Sequence, residues 1–253
     1  MLAALAFLFG LAIGSFLNVC IARLPAGESV VRPGSRCPAC RTPIHWFDNI
    51  PVLSYLLLGG RCRQCRSPIS VRYPLVELAT GVLFAATVSW LPPEPVLLGK
   101  ALLFTALLVV LFGTDYDVQR LPDVITLPGI AAGIVLSAAT PPGLFDAIMG
   151  TAAGALVLLF VRWGWKRMTG VDGMGLGDVK MLAMIGAFLG WRQVGVVLFL
   201  ASLAGALVGL LLAAGGRRSL QTRLPFGTFL AAAAWGALLV GDNLLDWYLS
   251  LYP

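Results

Sequence analysis

Successive apolar runs limit what this chain can fold into. Crossing the hydrocarbon core of a bilayer takes a helix of roughly 17–25 residues. Runs of about that kind fall near 2–21, 74–91, 96–114, 124–140, 145–162, 179–191, 194–213 and 225–241, about eight spans in all. Such spans must be helical, because lipid offers backbone N–H and C=O groups no partner. The period-two alternation of a membrane barrel strand is absent. Of 253 residues, 58% are hydrophobic and 12% charged, which excludes an ordinary soluble domain. The run at 179–191 is short and broken by glycine. The first run has no basic segment before it, and Arg23 follows it. It therefore reads as a retained helix with its N-terminus outside, and not as a cleaved signal.

The charges gather between the runs. Arg23, Arg32, Arg36, Arg41, Arg61, Arg63, Arg66 and Arg72 lie in or beside segment 22–73. Arg120, Arg162, Lys166, Arg167, Lys180, Arg217, Arg218 and Arg223 lie in loops of the same side, whereas the opposite side carries Lys100 and Arg192. This asymmetry places segment 22–73 in the cytoplasm. The net charge of +6 is thereby a topology signal, with some attraction to anionic membrane lipid, and calls for no nucleic acid. The expected organisation is a first transmembrane helix at 1–21, a small cytoplasmic domain at 22–73 and a helical bundle at 74–253. About fifty residues bury too little core to be stable alone, so that domain needs a metal or the membrane. No convincing repeat is apparent, and Gly205 and Gly209 suit close helix packing.

Four of the five cysteines form two pairs, Cys37-Pro-Ala-Cys40 and Cys62-Arg-Gln-Cys65. Two Cys-x-x-Cys turns can supply the four thiolates of a closed structural zinc site. Two disulfides are the alternative, which a reducing cytoplasm disfavours; iron is another. Cys20 reads as a small buried apolar residue. His45, the single histidine, reads as a polar residue of the loop, since four sulfurs already close a site.

A single histidine also limits catalysis. Serine and cysteine nucleophiles need a nearby base, and no His-Glu-x-x-His run exists. Carboxylates are the better candidates, because ionisable groups at membrane spans are costly. One cluster is Asp115-Tyr116-Asp117, followed by Leu121-Pro122-Asp123; the other is Gly175-Leu176-Gly177-Asp178. Two aspartates can activate a water, one as base and one as acid. Gly175 and Gly177 clear side chains where a substrate strand would approach. Asp123 reads as part of a helix first turn and Asp117 as a solvated loop residue. Asp115, placed where a helix ends, faces an opposing dipole. The helix-end argument, with Lys180 near in sequence, casts Asp178 as the base and Asp115 as the acid.

These segments, in this order, resemble the type IV prepilin peptidases, a branch of the Gly-x-Gly-Asp intramembrane aspartyl proteases. The resemblance rests on Gly14-Ser15-Phe16-Leu17-Asn18-Val19, Arg23-Leu24-Pro25, the cysteine pairs around Asn49-Ile50-Pro51, and Ser70-Val71-Arg72-Tyr73-Pro74-Leu75-Val76-Glu77. It continues through Asp115, Leu121-Pro122-Asp123, Thr126-Leu127-Pro128, Gly173-Met174-Gly175-Leu176-Gly177-Asp178-Val179-Lys180, Gly186-Ala187 and Gly190-Trp191. It spans nearly the whole chain. Thr114 departs from the apolar residue the family often has there.

The resemblance implies an all-α polytopic protein of the bacterial inner membrane. It implies cleavage of the leader peptides of type IV prepilins and type II secretion pseudopilins on the cytoplasmic side, after a glycine, with Asp115 and Asp178 as the catalytic pair. It also implies N-methylation of the new terminus with S-adenosylmethionine, since the tetracysteine loop is complete. The methyl-donor site and the oligomeric state are not indicated by the sequence. Glu77, a few residues inside the second span, reads either as an acid paired with Arg72 or as a polar group facing the loop domain near methyl transfer. Two other functions compete: a peptidase whose loop is only a docking module, and a proton-coupled transporter, which would hold its acids nearer the bilayer midplane.

Overall fold

The computed structural model of the chain describes residues 1–214 and 224–251. Arg217, Arg218 and Arg223 lie outside the described residues. Among the described residues the structure is helical, with isolated bridges but no strands. Six helices are long and apolar enough to cross a membrane: α1 (Leu2–Arg23), α3 (Arg72–Trp90), α4 (Pro95–Val118), α6 (Leu144–Thr169), α8 (Trp191–Ala214) and α9 (Phe226–Ser250). Between them stand the short α2 (Leu53–Leu57) and the apolar α5 (Asp123–Ser137) and α7 (Leu176–Leu189). Each of the eight apolar runs has its helix. The protein is a multi-pass helical membrane protein.

By internal packing the chain divides into two units, Met1–Pro93 and Glu94–Pro253. In the first, α1 and α3 pack closely because glycines remove side chains at the crossing. A Cβ on Gly10 would lie 2.8 Å from the Gly81 Cα, and one on Gly14 would lie 2.8 Å from the Glu77 Cα. This is the small-xxx-small spacing of membrane helix pairs. Asn18, buried on α1, donates from Nδ2 to the Tyr73 carbonyl at 3.1 Å. Cys20 is buried as well.

In the second unit α7 is the central helix. It packs against α5, α6, α8 and α9. Met181, Leu182, Met184 and Ile185 are all fully buried. That burial explains how a short helix serves here, since α7 is enclosed by protein and not by lipid. Gly150 and Gly154 of α6 lie against Gly186, Leu182 and Ala183 of α7 so closely that no Cβ fits. The close packing is therefore on α6 and α7. Gly205 and Gly209, expected for that role, make only ordinary contacts with Phe229 and Leu224. Helix α4 packs on α9 and α5, which brings the end of α4 beside the start of α9.

Candidate active site and metal centre

The first cluster is built by two matching turns. Arg36 bridges Pro43 and Arg61 bridges Pro68. Within each turn the first cysteine's N–H donates to a hydroxyl residue's carbonyl, Cys37 to Thr42 at 3.0 Å and Cys62 to Ser67 at 2.9 Å. Arg41 and Arg66 take left-handed backbone, at φ 60° and 59°, and each donates its N–H to the first cysteine's carbonyl. The two turns share the sequence pattern Arg-Cys-x-x-Cys-Arg-[Thr/Ser]-Pro-Ile. This is a repeat that the sequence reading passed over, because the segments around it do not repeat.

The turns bring Cys37, Cys40, Cys62 and Cys65 together, with all four sulfurs within 4.8 Å of one another. None forms a disulfide. Cys37 is pulled down to about 6, chiefly by the backbone N–H of Cys40 and next by the Ser67 hydroxyl. A thiolate at neutral pH is what a metal ligand requires. The four sulfurs gathered in one group offer the donor set of a metal centre. His45 is not among them; it stacks on Phe47 with ring centroids 5.2 Å apart. The second turn is tied to the turn Trp46–Asn49 by Arg63, which grips Asp48 at 2.6, 2.8 and 3.1 Å. The guanidinium holds the Asp48 carboxyl below the usual carboxylate range.

Glu77 faces the loop. Its Oε2 accepts the Val52 N–H at 2.7 Å, and its carboxylate also meets Ser15. Val52 stands at φ 60° immediately before α2, so the buried carboxylate holds a backbone position that no helix cap satisfies.

The second cluster lies at one end of the Glu94–Pro253 unit. Asp115 sits in the last turn of α4 and is buried. Its Oδ2 accepts the Thr228 N–H at 2.8 Å and the Thr228 hydroxyl at 3.2 Å. Thr228 lies in the first turn of α9, so that helix presents its N-terminal amides to Asp115. Gly227 permits the approach: a Cβ there would lie 3.0 Å from both Cγ and Oδ2 of Asp115. Asp178 lies in the first turn of α7, close enough to Asp115 for the charge of Asp115 to act on it. Gly175 stands beside the Asp178 carboxylate, with room for a Cβ 3.6 Å from Oδ2.

Leu121 joins the two. A Cβ on Gly177 would meet its side chain at 3.0 Å, and one on Gly227 would meet its Cδ1 at 3.1 Å. One leucine between α4 and α5 thus spaces the starts of α7 and α9 around Asp115. Thr228, Gly227 and this role of Leu121 escaped sequence reasoning. Nothing near Asp115 in sequence signals a partner 113 residues away.

Two expectations change. Lys180 does not turn to Asp178; its Nζ lies 2.7 Å from both carboxylate oxygens of Asp123. Asp123 opens α5 as expected, but it also pins α5 to α7. The helix-end argument does not separate the two aspartates either, since Asp115 faces the N-terminus of α9 while Asp178 lies at the N-terminus of α7. Thr114 is harmless, as its buried hydroxyl donates to the Leu111 carbonyl at 3.2 Å. Asp117 is exposed.

Fold and clusters together define a multi-pass helical membrane protein with a tetracysteine cluster suited to a metal ion and two aspartates near one another at helix ends. Residues 8–91 match the family described as the bacterial Peptidase A24 N-terminal domain, and residues 102–210 match the type IV leader peptidase family. The prepilin leader peptidase/N-methyltransferase of Aeromonas salmonicida (strain A449) is 43% identical over 98% of this chain and 94% of its own. The Pseudomonas aeruginosa protein of the same name is 40% identical over 96% of this chain and 91% of its own. That of Klebsiella pneumoniae is 46% identical over 78% and 89%. No solved structure matches. The chain belongs to the type IV leader peptidase family.

Proposed function

We propose that this protein cleaves the leader peptide of type IV prepilins and type II secretion pseudopilins, then N-methylates the newly exposed residue. The peptidase and methyltransferase activities follow from the family and from relatives similar along nearly the whole chain. The observation that carries the site is the meeting of Asp115 and Asp178 at the starts of α9 and α7, with Leu121 between.

Their chemistry is the hydrolysis of a peptide bond. One aspartate takes a proton from water as its oxygen adds to the scissile carbonyl, and the other protonates the carbonyl oxygen. The tetrahedral intermediate collapses as the first aspartate passes its proton to the peptide nitrogen and the second takes back the hydroxyl proton, so the nitrogen leaves as the amine that is then methylated. Thr228 fixes one oxygen of Asp115 and leaves the other for this work. Gly175 and Gly177 leave backbone open beside Asp178 for an extended substrate. Lys180 acts through Asp123 by holding α5 against α7. S-adenosylmethionine would supply an electrophilic methyl group to the lone pair of the new amine.

Zinc is the ion the cysteines suit. Bonds of about 2.3 Å to a tetrahedral zinc set sulfurs about 3.8 Å apart, and Cys37 and Cys65 have sulfurs 3.8 Å apart. Four sulfurs leave no open position, so its role is to hold segment 22–73 as a cytoplasmic domain. The basic asymmetry orients the protein in the inner membrane of a bacterium, with its N-terminus outside, and the Glu94–Pro253 unit, within the bundle expected at 74–253, carries the peptidase. Anionic lipid is a partner of the basic side, and nucleic acid is not. The aspartates at helix ends, and not at mid-span, argue against the proton-coupled transporter.

Incubating the purified protein with a prepilin, with and without S-adenosylmethionine, tests the proposal by intact mass. Loss of the leader in both reactions, with one methyl group gained only when the donor is present, is expected. Cleavage without any methyl gain would instead leave the loop as a docking module.

A further inference from the structure

We infer that α2, in the loop between α1 and α3, dips into the bilayer, so that lipid acyl chains cover its outer face. The inference rests on the multi-pass membrane fold and on neither enzymatic reading. Residues 49–60 carry no charge, although segment 22–73 around them holds eight arginines against Glu28 and Asp48. Within this stretch Leu53, Leu56 and Leu57 are 49%, 67% and 76% exposed. Exposed leucines gathered on one short element mark a surface that something apolar covers.

The depth of the segment says what covers it. Arg23 ends α1 and Arg72 opens α3, and arginines at the ends of membrane helices sit among the headgroups. Glu77 stands five residues beyond Arg72, and Ser15 eight residues before Arg23. With a rise of about 1.5 Å per residue, they lie about 7 and about 12 Å inward along their helices. The Glu77 carboxylate accepts the Val52 N–H at 2.7 Å and also meets Ser15. Val52 immediately precedes α2. Asn49 and Pro51 line the same cavity as Ser15 and Phe16 of α1. The chain thus enters α2 below the level of the arginines, where headgroups give way to acyl chains.

The backbone there suits that medium. Lipid offers N–H groups no partner, and those of this segment find theirs inside the unit. Val52 donates to Glu77, Ser54 to the Ile50 carbonyl, Leu56 to that of Val52, Leu58 to that of Ser54 and Gly60 to that of Tyr55. The Ser54 hydroxyl donates to the Phe47 carbonyl at 3.0 Å. Arg61 and Arg66, exposed just after the segment, complement anionic headgroups. The same charge opposes a second copy of this basic loop on the face. The bilayer thereby supplies apolar cover that about fifty residues cannot supply for themselves.

Site-specific photocrosslinking tests the assignment. A benzophenone amino acid replaces Leu57, and in a second protein Leu56, in the full chain held in nanodiscs of phosphatidylglycerol and phosphatidylcholine. Irradiation is followed by denaturation and intact mass. Lipid adducts at both positions are expected, in a yield that added prepilin does not lower. A crosslink to a second copy of the chain, or a prepilin adduct that displaces the lipid, gives the face to that protein and overturns the inference. Absence of lipid adduct at either position leaves the leucines outside the acyl chains and overturns it as well.

Discussion

Asp115 depends on a residue far along the chain for its geometry. Both Thr228 donors reach the same oxygen, so removing the hydroxyl leaves the backbone N–H in place. A hydrogen bond to a charged group contributes roughly 1.5–3 kcal/mol, which corresponds to about a ten- to hundredfold change in rate. Thr228→Val is expected to lower kcat for leader cleavage by that factor with KM little changed, measured on a purified prepilin. A KM rise at constant kcat would place Thr228 in substrate binding and not in the support of Asp115. The aspartates were singled out in the sequence because a carboxylate at a membrane helix end is costly, and the family resemblance paired them. Thr228 was not, since a threonine in an apolar run has no such signature. Lys180 was misread for a related reason: neighbours along a helix first turn need not face each other, and its long side chain reaches Asp123 on α5.

At the scale of elements, the glycine contacts sort the helix pairs. A Cβ on Gly186 would collide with the backbone of Gly150, whereas Gly205 has open contacts no closer than 3.5 Å. Overpacking costs about 1–3 kcal/mol for extra methylenes in a packed core, and backbone on the far side cannot yield as a side chain can. Gly186→Val is expected to lower the unfolding midpoint in detergent clearly, while Gly205→Ala leaves it nearly unchanged. Equal effects would show that α7 is not the packed centre. The helix positions followed directly from the apolar runs, but their ends did not. The run read as 145–162 continues as α6 to Thr169, and the run read as 225–241 continues as α9 to Ser250. Hydropathy stops at the first charges, whereas backbone hydrogen bonding carries on through Arg162, Lys166 and Asp242.

Over the whole molecule, the chain divides into two units, each matched by its own family description. The tetracysteine centre belongs to the first unit and the aspartate pair to the second. Stripping the metal with a strong chelator is therefore expected to abolish methylation and to reduce leader cleavage much less, with zinc restoring both. Equal loss of the two activities would mean that the loop also serves the peptidase, for instance by docking the prepilin. The cysteine spacing announced the centre in the sequence, and the residues around each pair repeat as well, but the left-handed backbone that Arg41 and Arg66 share is not encoded by spacing.

Asp115 and Asp178 are proposed to cut the leader together. The most direct measurement of this is cleavage of a prepilin by Asp115→Asn and Asp178→Asn enzymes, purified from membranes alongside the unaltered protein and followed by intact mass. Each change preserves side-chain size, so insertion and metal content should match those of the unaltered protein. No mature pilin is expected from either variant, while a pre-cleaved pilin offered with S-adenosylmethionine is still methylated by both. Mature pilin released at the normal rate by the Asp178→Asn enzyme would contradict this pairing.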